Sequence, residues 1–230
     1  MKIYGLQKMT LLDYPEHVGC TVFLGGCDLR CPFCHNYELA LRKVPPVMDE
    51  NEFFSFLERR KGLVDAVTVS GGEPCLDAGL PELLRRIRQM GYKVKLDTNG
   101  MHPQRLAEVT KEGLVDYVAM DIKNSPEKYA VTCGLEELDL DRILQSIRIL
   151  KKGAVDYEFR TTVVKEFHST DDFHRIGELI QGAEKYFLQI FTDRDTVPYA
   201  GLHAPVPEEM AGFLAVSRLY VPAARIRGEE

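Results

Sequence analysis

Six short apolar or β-branched runs, each followed by a polar loop and then a helical pattern, constrain this chain more than any other feature. The runs lie at 18–24, 66–70, 93–97, 117–122, 157–164 and 186–191. The first expected helix covers 51–60, where Asp49 and Glu52 form a capping-box-like start. Two more run over 80–91, with Pro81 in the first turn and Gly91 at the end, and over 103–113, opened by Pro103 and closed by Gly113. The remaining three cover 139–152, with Ile143, Leu144, Ile147 and Leu150 on one face, then 171–181 and 207–220. Strands alternating with helices imply an α/β fold with a parallel sheet. Right-handed crossovers leave two solutions, an open doubly wound sheet or a barrel or partial barrel. Both carry their ligands at the carboxyl ends of the strands, so the residues just after each run matter most.

The chain has 230 residues, 45% hydrophobic and 28% charged, an ordinary globular composition. A single domain over 1–230 is expected, with an N-terminal extension at 1–17, a core at 18–191 and a C-terminal loop and helix at 192–230. A formal net charge of −6 argues against an indiscriminate nucleic-acid binder, though it leaves a local basic patch open. No apolar run approaches the roughly 18 residues of a membrane span. Residues 1–9 lack the apolar region of a signal peptide, so the expected location is the cytoplasm, with no membrane partner. The six cysteines should be reduced there, as ligands or core residues rather than bridges.

After the first run the chain reads Gly25-Gly26-Cys27-Asp28-Leu29-Arg30-Cys31-Pro32-Phe33-Cys34-His35-Asn36, with three thiols spaced C-x3-C-x2-C. Core cysteines do not cluster in a loop that also carries Gly, Pro and Arg. A zinc site wants four tetrahedral ligands, usually in C-x2-C pairs. Here the fourth would have to be His35 or Cys20, and no second pair follows. An iron–sulfur cube held by three thiolates leaves one of its four irons open to a chelating ligand. After the second run comes Ser70-Gly71-Gly72-Glu73-Pro74, whose glycines would let the backbone approach a ligand. By itself that segment is only a turn.

Taken together, the cysteine loop and the Gly-Gly-Glu-Pro turn resemble the radical S-adenosylmethionine superfamily. Asp97-Thr98-Asn99-Gly100, Met120-Asp121-Ile122-Lys123 and Cys34-His35-Asn36 further resemble the glycyl-radical-enzyme activases, such as the pyruvate formate-lyase activating enzyme. The stretch from Gly5 to Pro15 is most similar to the anaerobic ribonucleoside-triphosphate reductase activating protein branch. The resemblance covers about residues 5–164 and is weak after Phe191.

That resemblance implies a partial (β/α)6 barrel of parallel strands, open at one side. It implies a 4Fe-4S cluster on Cys27, Cys31 and Cys34, whose open iron takes the amino and carboxylate groups of S-adenosylmethionine. Reduction of the cluster would then release methionine and a 5′-deoxyadenosyl radical. Phe33 and His35, with Asn36 closing the loop, would lie at the adenine. Gly71, Gly72 and Glu73 would meet the methionine end. Asp121 and Lys123, at i and i+2 of a strand end, share one face and suit the ribose or the zwitterion. Asp97 and Thr98, with Asp121, would hold a monovalent cation beside the bound carboxylate; the competing reading of Asp97 is a turn cap. Arg160, inside the fifth run, needs a partner, either that carboxylate or Asp121.

Cys20, Cys75 and Cys133 are isolated and suggest no second cluster. His168, His174 and His203 read as surface or core residues. The related activase has a histidine after its sixth strand, and no histidine falls at the matching place here. The implied partner is a glycyl radical enzyme, in this branch anaerobic ribonucleotide reductase, with a flavodoxin or ferredoxin as electron donor. A short barrel open on one side would admit a loop of that partner. Two other classes stay open: a short radical enzyme acting on a small molecule such as a deazapurine precursor, and a zinc-binding interaction module.

Overall fold

The computed structural model describes residues 1–228. The chain enters through β1 (Lys2–Thr10) and β2 (Gly19–Leu24), then the short α1 (Tyr37–Ala40) and the two-residue β3 (Met48–Asp49). Five strand–helix units follow: α2 (Glu50–Arg59) leads into β4 (Ala66–Gly71) and α3 (Leu80–Gln89), then β5 (Lys93–Thr98) and α4 (Pro103–Lys111). After β6 (Tyr117–Asp121) come the short α5 (Tyr129–Thr132) and α6 (Leu140–Lys151). The chain closes with β7 (Asp156–Val163), α7 (Thr170–Ile180), β8 (Tyr186–Ile190), α8 (Pro207–Tyr220) and β9 (Arg225–Ile226). Among the described residues, no helix is long and apolar enough to cross a membrane.

The helix starts have local causes. At Asp49 the side chain accepts from the Glu52 N–H at 2.9 Å while Glu52 accepts from the Asp49 N–H at 2.8 Å, so two free donors are satisfied reciprocally. Pro81 and Pro103 stand in first turns, where a missing N–H costs nothing.

Among the described residues nine strands form one sheet, ordered β3-β1-β2-β4-β5-β6-β7-β8-β9. From β2 to β9 every pair is parallel and spatial order follows chain order. A doubly wound sheet would reverse its order at a switch point. The absence of a reversal selects the barrel-type winding, and the sheet ends, β3 and β9, do not pair with each other. The barrel is therefore partial and open. The sequence reading places no strand before residue 18; β1 is there, antiparallel to β2, with β3 antiparallel along its other edge.

The two faces of the sheet differ in chemistry. On the helix-covered face lie Val67, Val69, Val94, Leu96, Val118 and Met120, all fully buried. The register sets Thr68 against Lys95, Asp97 against Ala119 and Asp121 against Arg160, so the opposite face carries a polar band. That band accounts for the polar–apolar alternation of the third run, Lys93-Val94-Lys95-Leu96-Asp97. Both faces are enclosed, but one holds charges that must find partners.

Candidate active site

The site begins with the loop leaving β2. Its backbone is fixed before any ligand is considered. The Arg30 N–H donates to the Cys133 carbonyl at 2.8 Å, just past α5. The Arg30 guanidinium donates to the carbonyls of Cys27 at 2.6 Å and Leu29 at 2.7 Å. The Asn36 amide donates to the Gly71 carbonyl at 3.1 Å, tying the end of the loop to the end of β4.

The glycines of the β4 turn are required by this tie. Gly71 has φ 128°, and a Cβ there would sit 2.2 Å from the Leu24 carbonyl oxygen; one on Gly72 would sit 2.0 Å from that of Gly26. Their absent side chains admit the root of the cysteine loop, a backbone–backbone approach where the sequence reading supposed only a ligand. Gly72→Ala should cost about 1–3 kcal/mol of stability, as overpacking does, and lower the iron bound per chain. Iron analysis beside a urea melt checks this; unchanged values in both would mean that the turn yields freely.

Between the loop and the strand ends lies a cavity of about 940 Å³, counted out to its open mouth. Cys27, Cys31 and Cys34 line it together with Phe33, His35, Asn36, Gly71, Gly72, Asp97, Thr98, Asp121, Lys123 and Arg160. The structure thus brings together every expected site residue except Glu73. Glu73 is 2% exposed and turned inward. Its carboxylate accepts from the Thr98 hydroxyl at 2.8 Å, the Asn99 N–H at 2.6 Å and the Cys75 N–H at 2.9 Å. It therefore pins the β4 turn to the β5 turn. Burial pushes its pKa from the ordinary 4.5 to about 7, against those three bonds. A carboxyl raised on folding adds stability that is full below its unfolded pKa and is lost as pH rises through the folded one. Stability of the reduced apoprotein should fall between pH 4.5 and about 7, and Glu73→Gln should flatten that slope. Denaturant melts across this interval test it; an identical slope in the variant would remove Glu73 as the cause.

The floor of the cavity is a chain of ion pairs. The Asp121 carboxylate accepts from Arg160 Nε at 2.9 Å and from Lys123 Nζ at 2.9 Å. Arg160 also reaches Asp97 at 3.5 Å. Asp97 accepts from Lys95 Nζ at 2.6 Å and from the Ser70 hydroxyl at 3.0 Å. Burial opposes the Asp121 charge, but Arg160 and Lys123 outweigh it and hold the carboxyl down to about 2. Burial likewise opposes the charge on Asp97, where Arg160 and Lys95 win. The expected cation ligands do not form an open oxygen site. The carboxylates of Asp97 and Asp121 are taken by the protein's own donors, and the Thr98 hydroxyl is engaged with Glu73.

The three thiols suit an iron–sulfur cluster. None is in a disulfide, and all face the same cavity. Among the described residues no three Cys, His, Asp or Glu side chains converge tightly enough to hold one metal ion, so the thiols are not gathered around a point. Cys27 Sγ accepts from the Leu29 N–H at 3.4 Å and lies 3.7 Å from the Asn99 amide nitrogen, donors of the kind that stabilise a thiolate ligand. The neighbouring Cys133 thiol, working against burial, brings the Cys31 thiol down to about 7. Burial pushes Cys27 up to about 12. Cys133 is fully buried, with its carbonyl bonded to the Arg30 N–H of the cysteine loop.

At the other rim, His35 Nε2 lies 2.7 Å from the Thr192 carbonyl, and its ring stacks on Phe191 with centroids 5.9 Å apart. The cysteine loop thus supplies the histidine that meets the segment after β8. His203 is exposed and bonded to Glu166 at 2.7 Å; neither it nor Asp193 lines the cavity. Sequence reasoning missed Ser70, Lys95 and Asn99. For Lys95 and Ser70 the available signal was a polar side chain inside a strand run, two residues from Asp97 or at the Gly-Gly turn.

The sequence profile described as the radical SAM superfamily matches residues 21–180. A Methanocaldococcus jannaschii protein, provisionally named a glycyl-radical enzyme activating enzyme, is 33% identical over 213 residues, covering 90% of this chain and 87% of its own. The pyruvate formate-lyase-activating enzyme of Clostridium pasteurianum is 29% identical, covering 64% of this chain and 63% of its own. A Thermococcus kodakarensis 7-carboxy-7-deazaguanine synthase is 27% identical, over 73% and 72% of the two chains. In fold, a radical SAM methyltransferase from Sphaerobacter thermophilus superposes with a TM-score of 0.75 at 14% identity, over 95% of this chain and 68% of the other.

Proposed function

The chain belongs to the radical SAM superfamily, and from that premise we propose that it is an activase: it takes a hydrogen from a glycine α-carbon of a partner enzyme and leaves a stored glycyl radical there. The superfamily implies a 4Fe-4S cluster and S-adenosylmethionine. When bound, the two supply a reductive cleavage that yields methionine and a 5′-deoxyadenosyl radical able to take that hydrogen. Cys27, Cys31 and Cys34 would hold the cluster. Gly71 and Gly72 offer backbone polar groups to the amino end of the methionine moiety. Arg160 and Lys123, already aimed into the cavity by Asp121, orient its carboxylate. Phe33 and His35, with Asn36 fixing their loop, form the apolar wall for the base, and these walls exclude water from the reacting atoms.

The observation that carries this reading is the joining of three thiols and a charged, cation-rich floor in one cavity at the strand ends. The likeness of nearly the whole chain to a relative named as an activating enzyme supports the choice within the superfamily. The partner we favour is anaerobic ribonucleotide reductase, because of the Gly5 to Pro15 stretch, with a flavodoxin or ferredoxin donating the electron in the cytoplasm.

The test is anaerobic. The reconstituted protein is mixed with reductant, S-adenosylmethionine and candidate glycyl radical enzymes, and the glycine radical is read by electron paramagnetic resonance. A protein radical on one candidate, with methionine released in step, is the expected result. Cleavage of S-adenosylmethionine that depends on a deazapurine precursor, with no radical on any candidate, would move the assignment to the small-molecule class. The Thermococcus relative makes that the second reading.

A further inference from the structure

In the cavity floor and just beneath it, three cations, Lys95, Lys123 and Arg160, stand against two carboxylates, Asp97 and Asp121, a surplus of one positive charge in this group. Lys95 is the unexpected member. It is 2% exposed, it sits on β5 two residues before Asp97, and its ammonium lies 2.6 Å from that carboxylate. Strand geometry puts residues i and i+2 on the same face, so the pair is built into the strand itself. An ammonium and a potassium ion have the same charge and closely similar size. A further cation on Asp97 would have to displace Lys95 or raise the surplus to two charges in an enclosed, weakly screening setting. One carboxylate from a bound ligand, by contrast, neutralises the floor.

We propose that Lys95 is a built-in monovalent cation: held on Asp97, its ammonium supplies the charge that an alkali ion would otherwise bring, so the cavity takes the carboxylate of S-adenosylmethionine without sodium or potassium. Lys95 does not line the cavity. It is a positioning residue that acts through Asp97, and through Asp97 on Arg160. The inference rests on reading the cavity as the S-adenosylmethionine site.

The experiment titrates S-adenosylmethionine into the reduced, cluster-loaded protein and follows the change in the cluster's electron paramagnetic resonance signal. It is done in tetramethylammonium chloride and again in potassium chloride. Equal affinity in the two salts, within about twofold, is expected of the wild type. A potassium requirement of tenfold or more would overturn the role of Lys95 and leave the site standing. No response to S-adenosylmethionine in either salt would sink the site reading, and this inference with it. Lys95→Gln should bind roughly tenfold more weakly in tetramethylammonium, the loss expected when one positive charge behind Asp97 is removed from the surroundings of the ligand carboxylate. Potassium or ammonium ions should restore most of it. A purely structural ion pair would show no such rescue, so failure of rescue with the cluster intact counts against the proposal. Lys95→Met gives the same comparison if the glutamine variant folds poorly, and the wild-type arm decides without either.

Discussion

Cys31→Ala is expected to lose most of its bound iron and all cleavage of S-adenosylmethionine while keeping its fold. A cube that needs three thiolates is left with two. The loop itself should survive, because its anchors are backbone and arginine bonds that alanine leaves in place: Arg30 N–H to Cys133, the Arg30 guanidinium to Cys27 and Leu29, and Cys34 N–H to the carbonyl of residue 31. Cys31 is itself buried, so some packing is lost as well, on the order of 1–2 kcal/mol. Cys133 adds a refinement. Its carbonyl takes the Arg30 N–H at 2.8 Å, which sets this buried thiol against the cysteine loop. Residual iron in Cys31→Ala should therefore disappear in the Cys31→Ala, Cys133→Ala pair. Cys133→Ala alone should keep the cluster, since the Cys133 carbonyl that holds Arg30 is backbone and stays in place. Iron and sulfide per chain and methionine release decide the matter. Full iron and turnover in Cys31→Ala would end the cluster assignment, and loss of the cluster in Cys133→Ala would make Cys133 a fourth essential thiol.

The parts of this fold that could be read from sequence are those fixed by local chemistry. The helix over Glu50–Arg59 announces itself by the reciprocal bonds of Asp49 and Glu52, and α3 and α4 by their first-turn prolines. The start of α7 is set one residue before the expected position, by Ser169 and Asp172 capping each other. By contrast, β1 has no local signature. It is a half-exposed strand with Gly5 in its middle, and only its pairing with β2 and β3 makes it a strand, a tertiary effect that propensity does not carry.

The candidate site divides in the same way. The cysteines, the Gly-Gly turn, Asp97, Asp121 and Lys123 could be found because parallel α/β sheets place ligands at strand ends. Lys95 and Ser70 show only as polar side chains in strand runs; that both meet Asp97 in one buried ion-pair chain depends on which strands are neighbours and in what register. Nor could the bond from the Arg30 N–H to the Cys133 carbonyl be read, which joins two loops about a hundred residues apart. Glu73 shows the opposite failure. Its motif is plain in the sequence, but whether a carboxylate after two glycines faces a ligand or the next turn is decided by the donors around it, here Thr98, Asn99 and Cys75.

Asp121→Asn should weaken S-adenosylmethionine binding by roughly one to two orders of magnitude and leave the cluster absorption unchanged. The carboxylate is the one group that accepts from both Arg160 and Lys123, each at 2.9 Å. Asparagine keeps the shape and one acceptor oxygen but presents an amide N–H₂ to one of two cations, which must turn away. A hydrogen bond to a charged group is worth roughly 1.5–3 kcal/mol, and each 1.4 kcal/mol is about a factor of ten in affinity. Two forces compete. The variant floor carries an extra positive charge, which by itself would draw a ligand carboxylate more strongly. Against that, the two cations lose the group that aims them, and a buried pair with one partner removed costs about 3–5 kcal/mol. Loss of aim should dominate, because direction rather than net charge decides whether a guanidinium grips a carboxylate with two bonds. The depressed pKa separates this from an effect of pH. The stability that Asp121 contributes is present above its unfolded pKa of 3.8 and is lost only as pH falls toward about 2, so between pH 6 and 9 the wild type should bind without a titration from this residue. Titrating S-adenosylmethionine into the cluster-loaded variant, beside a thermal melt, distinguishes the roles. A lowered melting temperature with wild-type affinity would make the Asp121–Arg160–Lys123 group a structural brace and take Asp121 out of the binding site.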